Sequence, residues 1–240
     1  MITERKALWK QAFGDPDAFI DAFFSIAYDQ MHSSSVIWKG KTVAALYWFD
    51  CSCRGRKIAY IYAVATEESY RGKGICRNLM ESTHQYLRRE GYTGAILVPG
   101  SKPLFRFYEK LGYQTCSFLD ELSCAAGAPV PLNRITPAEY AAQRLTLLPP
   151  DSVVQEGVTL DFLASYAAFY AGDGFIAAAT LDGDKAQVHE LLGDVEPAAV
   201  IAALGARKGT VRRPGTGRPF AMYHGLEVAP MPGYFGLALD

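Results

Sequence analysis

With 240 residues and a formal net charge of −1, the chain carries no electrostatic footprint for nucleic acid or an anionic membrane. Half of its residues are hydrophobic and a fifth charged, the mix of a globular protein that buries one large core or two small ones. Its longest apolar runs fall well short of the ~20 residues a membrane span needs, and five cysteines without framework spacing suit reduced thiols in a cytoplasmic protein.

The first thirty residues read as two helices. Met1-Ile2-Thr3-Glu4-Arg5-Lys6 opens a charged helix rather than a signal peptide, and Leu8, Trp9, Ala12 and Phe13 form its apolar face. Gly14 ends it. Asp15 as N-cap and Pro16 at the first helical position start the second, lined by Ile20, Phe23, Phe24 and Ala27. Strands are expected at 36–38 and 43–50, joined by Gly40-Lys41, and at 58–66 after the Arg54-Gly55-Arg56 turn. Cys51-Ser52-Cys53 has neither a second cysteine pair nor a nearby histidine with which to hold a metal.

Tyr70-Arg71-Gly72-Lys73-Gly74-Ile75-Cys76 is the most informative stretch. An apolar β-type segment precedes it, and a helical pattern follows, with Ile75, Leu79, Thr83 and Leu87 on one face and Gly91 as a stop. A glycine-punctuated turn at a helix start gathers unpaired N–H groups and the positive end of the helix dipole, an anion site that suits phosphate. Arg71 and Lys73 add charge. A Walker loop needs four residues between its glycines and then Lys-Ser/Thr, and neither is present. A dinucleotide fingerprint needs a third glycine where Arg77 stands. Further on, 95–99 reads as a strand, and Phe107-Tyr108-Glu109-Lys110-Leu111-Gly112-Tyr113 follows.

Arg71 and Gly74 match the Gln/Arg-x-x-Gly-x-Gly/Ala coenzyme A turn of the GNAT acetyltransferase superfamily, with Cys76 where Gly or Ala is usual. The segment Phe107 to Tyr113 resembles the F-Y-x-k-x-G-F/Y element of the same superfamily. The resemblance covers roughly residues 35 to 120. It implies an α/β (α+β) fold whose mixed, mostly antiparallel sheet splays between two central strands, with helices on its faces and the pantetheine arm in the gap. It also implies acetyl-CoA as co-substrate, with no metal. Val64, Ala65 and Thr66 would supply main-chain donors, and Arg71, Gly72, Lys73, Gly74, Ile75 and Cys76 would hold the diphosphate. Ser101 falls where many members carry Asn. Tyr108 takes the position of the acid for the leaving thiol, and Gln30 to Ser35 border the acceptor pocket.

An amine acceptor arrives as ammonium and needs a base. Relatives often place a Glu on the strand before the turn, yet Tyr60, Ile61, Tyr62 and Ala63 hold no carboxylate. Glu67, Glu68 and Asp50, acting through water, and the terminal carboxylate at Asp240 remain as candidates. His84 reads as a partly exposed helical residue.

Beyond Leu122 the composition shifts, and 125–131 reads as a proline-bearing linker. After it come a helix from Pro137, a second at 160–170, and a hairpin of 175–181 and 185–192 around Asp182-Gly183. A helix from Pro197 to about Gly205 and strands near Val211, at 220–223 and at 234–239 complete the chain. Gly215-Thr216-Gly217-Arg218-Pro219 reads as a flexible hairpin tip, since no helix follows it to make a phosphate loop. The expected organisation is a catalytic domain at 1–128 and a smaller α+β domain at 129–240 resembling a partial second copy. The expected function is transfer of an acetyl group to a primary amine of a small molecule, amino acid or peptide, by a monomer or homodimer. A coenzyme-binding module without turnover, and acyltransfer of longer chains or to hydroxyls, stay open.

Overall fold

The computed structural model describes residues 2–239. They form two compact units, each a mostly antiparallel sheet flanked by helices. The first runs to Gln114 and takes back Met222–Met231; the second is Thr115–Ala221 with the segment from Pro232. No helix among the described residues is long and apolar enough to cross a membrane.

In the first unit, helices α1 (Ile2–Phe13) and α2 (Asp17–Ile26) precede strands β1 (Ser33–Trp38), β2 (Lys41–Cys53) and β3 (Arg56–Thr66). Helix α3 (Ile75–Arg89) leads to β4 (Gly94–Leu97), and α4 (Lys102–Glu109) follows. The strand order is β1-β2-β3-β4, closed by the last half of β11 (Arg218–Gly225). β1, β2 and β3 form an antiparallel meander, while β4 lies parallel to β3. Trp9 of α1 and Phe23 of α2 pack onto Tyr47 and Tyr62 of the meander, with centroids 5.0–5.9 Å apart. The other face carries Leu46, Trp48 and Ile61 against Leu79, Met80 and Leu87 of α3 and Tyr108 of α4. Asp15 does not cap α2: Pro16 occupies the N-cap position, and the Asp15 carboxylate instead accepts the Trp9 indole N–H at 2.7 Å.

The second unit holds β5 (Gln114–Ala125), β6 (Asn133–Ile135), α5 (Pro137–Leu147), α6 (Val158–Ala164), β7 (Ala168–Gly172), β8 (Phe175–Asp182), β9 (Lys185–Gly193), α7 (Pro197–Ala203) and β10 (Lys208–Pro214). Its order is β11-β5-β10-β9-β8-β7-β6, with only β9 and β10 parallel among its described pairs. Thr136 and Glu139 form a reciprocal capping box at the start of α5.

Three expectations are corrected here, and one strand was not foreseen. The helix expected at 160–170 stops at Ala164, and Ala168–Gly172 is a strand, because Phe169 and its neighbours pair with β8. The strand expected at 234–239 is absent: the segment is buried but irregular, joined to the fold by a Ser152–Tyr234 bridge and by Ser117 and Gln155 side chains on its carbonyls. The long strand β5 had no counterpart in the sequence reading, since Asp120 interrupts the face of Phe118, Leu122 and Cys124, and adjacent Phe118 and Leu119 break the apolar–polar alternation. Gly215–Pro219 is not a hairpin tip, because β5 lies between β10 and β11. The loop spans β5, and its Thr216 and Gly217 amides donate to Asp120 Oδ1 at 3.1 and 2.9 Å. It does bind an anion, and that anion is the protein's own carboxylate.

Candidate active site

β3 breaks phase near its end. Tyr47 pairs with Tyr62 and Ala45 with Ala65, so β3 carries one residue more than β2 across that step. The extra residue is absorbed at Ala63, whose φ of +49° lies in the left-handed region. Val64 therefore packs with Ile61 on the α3 side, although plain alternation puts it beside Tyr62. Pairing of β3 with β4 runs only from Ile58 to Tyr60. Beyond Tyr60, the stretch that includes Val64, Ala65 and Thr66 has no β4 partner on that flank among the described residues.

After Thr66 the chain makes a single 3₁₀ turn, Glu68–Tyr70, before the basic loop, so strand and helix are not joined directly as the sequence suggested. Gly72 and Gly74 take φ of +73° and +77°, conformations that favour glycine, and open space surrounds both. Gly74 is the N-cap of α3, and no side chain caps the helix. The first-turn amides, at Ile75, Cys76 and Arg77, are left as the unsatisfied donors of a helix N-terminus. Arg71 and Lys73 fold back as braces: Arg71 Nε donates to Thr66 O at 3.0 Å, and Lys73 Nζ to Ser69 O at 2.8 Å. Their charge stays at the mouth of the turn while their side chains hold its shape.

Val64, Ile75 and Cys76 pack with Tyr108 in one apolar cluster. Cys76 is thus turned toward the core, and burial raises the pKa of its thiol. Tyr108 lies in the last turn of α4, 6 % exposed, with Tyr113 edge-on at 5.6 Å. Burial, and then Cys76 nearby, push its hydroxyl well above the ordinary tyrosine range, so it stays protonated. Ser101 is exposed at the N-cap of α4 and makes no side-chain cap bond.

Two candidate carboxylates, Glu67 and Asp50, are committed elsewhere. Glu67 accepts Lys41 Nζ at 2.8 Å and the Ser69 hydroxyl, and the lysine contact lowers its pKa. Glu68 is exposed. Asp50 accepts the Tyr92 hydroxyl and lies 3.4 Å from Lys57 Nζ. It pairs with Ala59, four residues from Ala63, or roughly 13 Å along the strand. Asp240 lies outside the described residues. His84 is buried, contrary to the sequence reading: its Nε2 meets the Tyr113 hydroxyl at 2.8 Å and its ring stacks on His224 at 4.5 Å.

Sequence reasoning placed Phe24 on the apolar face of the second helix but missed the bulge at Ala63 and the half-buried Tyr28 and Tyr62, which pack with Phe24 and Phe23. The bulge has no signal in β3 alone, because Tyr60, Tyr62 and Val64 follow the plain alternation of an unbulged strand and only the register with β2 reveals it.

Residues 2–116 match the family described as an acetyltransferase (GNAT) domain. N-acetyltransferase 8 of Rattus norvegicus is 32 % identical over 73 residues, 29 % of this chain and 33 % of that protein, so the match spans about a third of that relative. A GCN5-related N-acetyltransferase from Anabaena variabilis superposes with a TM-score of 0.70 at 15 % identity, covering 95 % of this chain and 71 % of that one. A tandem GNAT protein from the clavulanic acid pathway gives 0.60 at 11 % identity, covering 95 % and 96 %. At such identities the two structures speak for the fold alone. Fold and matched domain agree with the turn, the bulged strand and the tyrosine: residues 2–116 belong to the GNAT acetyltransferase superfamily.

Proposed function

We propose that the protein is an N-acyltransferase that moves an acetyl group from acetyl-CoA to the primary amine of a small molecule, amino acid or peptide. The observation that carries this reading is the uncapped start of α3 behind two left-handed glycines, next to a β3 segment with no partner on its β4 flank. The residues fit the co-substrate: open amides and two cations for its diphosphate, a strand edge for its amide-bearing arm, and a buried hydroxyl beside the same cluster. When bound, acetyl-CoA supplies an activated acyl thioester. The β3 amides at Val64 to Thr66 donate to negative charge developing on the acyl oxygen. Tyr108, held neutral, donates its O–H toward the sulfur as that atom gains charge. The open strand edge and the turn together fix the reacting groups in register.

The partial second copy is also part of this proposal. β7, β8, β9, α7 and β10 repeat the order of β1, β2, β3, α3 and β4, with a parallel pair at the end of each series. In the second series the strand-to-helix turn carries Asp194 and Glu196 and enters the helix at Pro197. Those charges repel a diphosphate, so the second unit serves as a domain without a coenzyme site of its own.

A second reading, coenzyme binding without turnover, is favoured by the lack of a carboxylate between Tyr60 and Ala63. Thiol release measured over a panel of amines, amino acids and aminoglycosides separates the two. Acceptor-dependent release supports the transferase. Silence across the panel, with intact coenzyme binding by calorimetry, supports the binding module.

A further inference from the structure

The second unit contains a cavity of about 630 Å³ that none of the chemistry above uses. Its floor is two polar rows running across four strands. Thr180 pairs with Gln187, Gln187 with Thr210, and Thr210 with Ser123, which places hydroxyl and amide groups side by side on β8, β9, β10 and β5. Two residues along, Asp182 pairs with Lys185, Lys185 with Lys208, and Lys208 with Ala125. The rows are roughly 7 Å apart along the strands.

Two features of this floor lack a counterpart among the described residues. Lys185 and Lys208 stand directly opposite each other on neighbouring strands, a like-charge arrangement that destabilises a sheet. Asp182 beside Lys185 is the one carboxylate in the lining, so one of the two cations is uncompensated there. In the neighbouring row the Gln187 Nε2 amide is enclosed and has no acceptor, although buried donors are as a rule paired. Around it stand the Thr210 and Ser123 hydroxyls. One end of the cavity thus calls for a concentrated anion, and the other for neutral oxygen acceptors.

We propose that this cavity binds a phosphate monoester carried on a hydroxylated body, of sugar-phosphate size. The phosphate, with between one and two negative charges at neutral pH, sits on Lys185 and Lys208. The body reaches the second row, where its oxygens accept from Gln187 Nε2 and exchange hydrogen bonds with Thr210 and Ser123. A carboxylate supplies only one charge for the pair of lysines and is the weaker match. The volume is within the range of small-molecule sites. The site is independent of the transferase reading, because every lining residue belongs to the second unit.

The experiment is calorimetry on the full chain with glucose 6-phosphate, ribose 5-phosphate and glycerol 3-phosphate, and with glucose and inorganic phosphate as the separate halves. At least one ester is expected to bind saturably and tenfold or more tighter than either half. K185Q/K208Q is expected to weaken it at least tenfold, and Q187L severalfold. Both lysines are exposed, so the double variant keeps its fold, which thermal melting verifies. The companion variant R71A/K73A is expected to leave ester binding unchanged. No saturable binding by any ester overturns the proposal. So does binding that inorganic phosphate matches, binding that survives K185Q/K208Q, or binding that R71A/K73A abolishes.

Discussion

Ile61 and Val64 share one face of β3 although three residues separate them, and the left-handed Ala63 between them is the reason. An alanine at φ of +49° carries strain that a glycine does not. Ala63→Gly exchanges that strain for greater freedom of the unfolded chain, and its stability is expected to stay within about 1 kcal/mol of the parent. A β-branched side chain tolerates this conformation poorly. Ala63→Val is expected to cost about 1–3 kcal/mol and to lower acyl transfer, as the strand relaxes toward plain alternation and carries Val64 to the wrong face. Thermal melting together with thiol release checks both variants. A fully active, equally stable Ala63→Val protein would show that the bulge is incidental.

Arg71 and Lys73 have two tasks, charge and bracing. Replacing either by alanine is expected to weaken coenzyme A binding roughly ten- to hundredfold, the size of a lost charge-assisted contact. Arg71→Lys retains the charge but lacks the planar Nε that reaches Thr66 O, so it is expected to fall between parent and alanine. Calorimetry that ranks Arg71→Lys with the parent would reduce the arginine to its charge alone.

How far the sequence carried the fold depends on where the signals are local. The turn at Arg71–Gly74, the helix it opens and the Asp182-Gly183 hairpin are written in adjacent residues, and all were legible. The bulge at Ala63 was not, because its cause lies in the pairing of Tyr62 with Tyr47 and of Ala65 with Ala45, a register that only the partner strand defines. β5 escaped for a related reason. Flanked by β11 and β10 from the far end of the chain, it gains its stability from pairing rather than from a strong apolar pattern. His84 looked like a surface residue because its burial is due to Tyr113 and His224, 29 and 140 positions away in a sequence that says nothing about their meeting.

Tyr108→Phe removes only the hydroxyl from a packed ring. If that hydroxyl meets the departing sulfur, turnover is expected to fall by 10²-fold or more while coenzyme affinity changes little. An equal fall in both quantities assigns Tyr108 to binding. Its raised pKa gives a second check. Deprotonation begins above the ordinary value near 10, so no alkaline loss of activity below pH 10 is expected from this group.

His84 predicts an acid limb of stability. Burial first, then His224 and Arg88, lower its pKa from 6.5 to about 3. The folded protein therefore binds fewer protons here than the unfolded chain does. The contribution is complete above pH 6.5 and is lost as pH falls toward 3, at a slope approaching 1.4 kcal/mol per pH unit. Between pH 6.5 and 4.5, before most carboxylates titrate, His84→Gln is expected to flatten the decline of melting temperature with acidity. Parallel curves for the two proteins would mean that the histidine does not titrate against the fold.

Arg144 and Glu190 form a buried ion pair in the second unit, with N–O distances of 2.6 and 2.9 Å and side chains that solvent barely touches. Glu190 also accepts the hydroxyls of Tyr140 and Tyr234 at 2.8 and 3.2 Å, which ties the irregular C-terminal segment to α5 and β9. Removing one partner of such a pair strands the other charge in the interior, at a cost of about 3–5 kcal/mol. Arg144→Met is expected to show that full loss. Arg144→Met/Glu190→Gln is expected to recover most of it, since the glutamine keeps an acceptor for the tyrosine hydroxyls and carries no charge. Denaturant midpoints at constant slope measure both. A double variant as unstable as the single one would mean that the stranded charge is not what the arginine relieves.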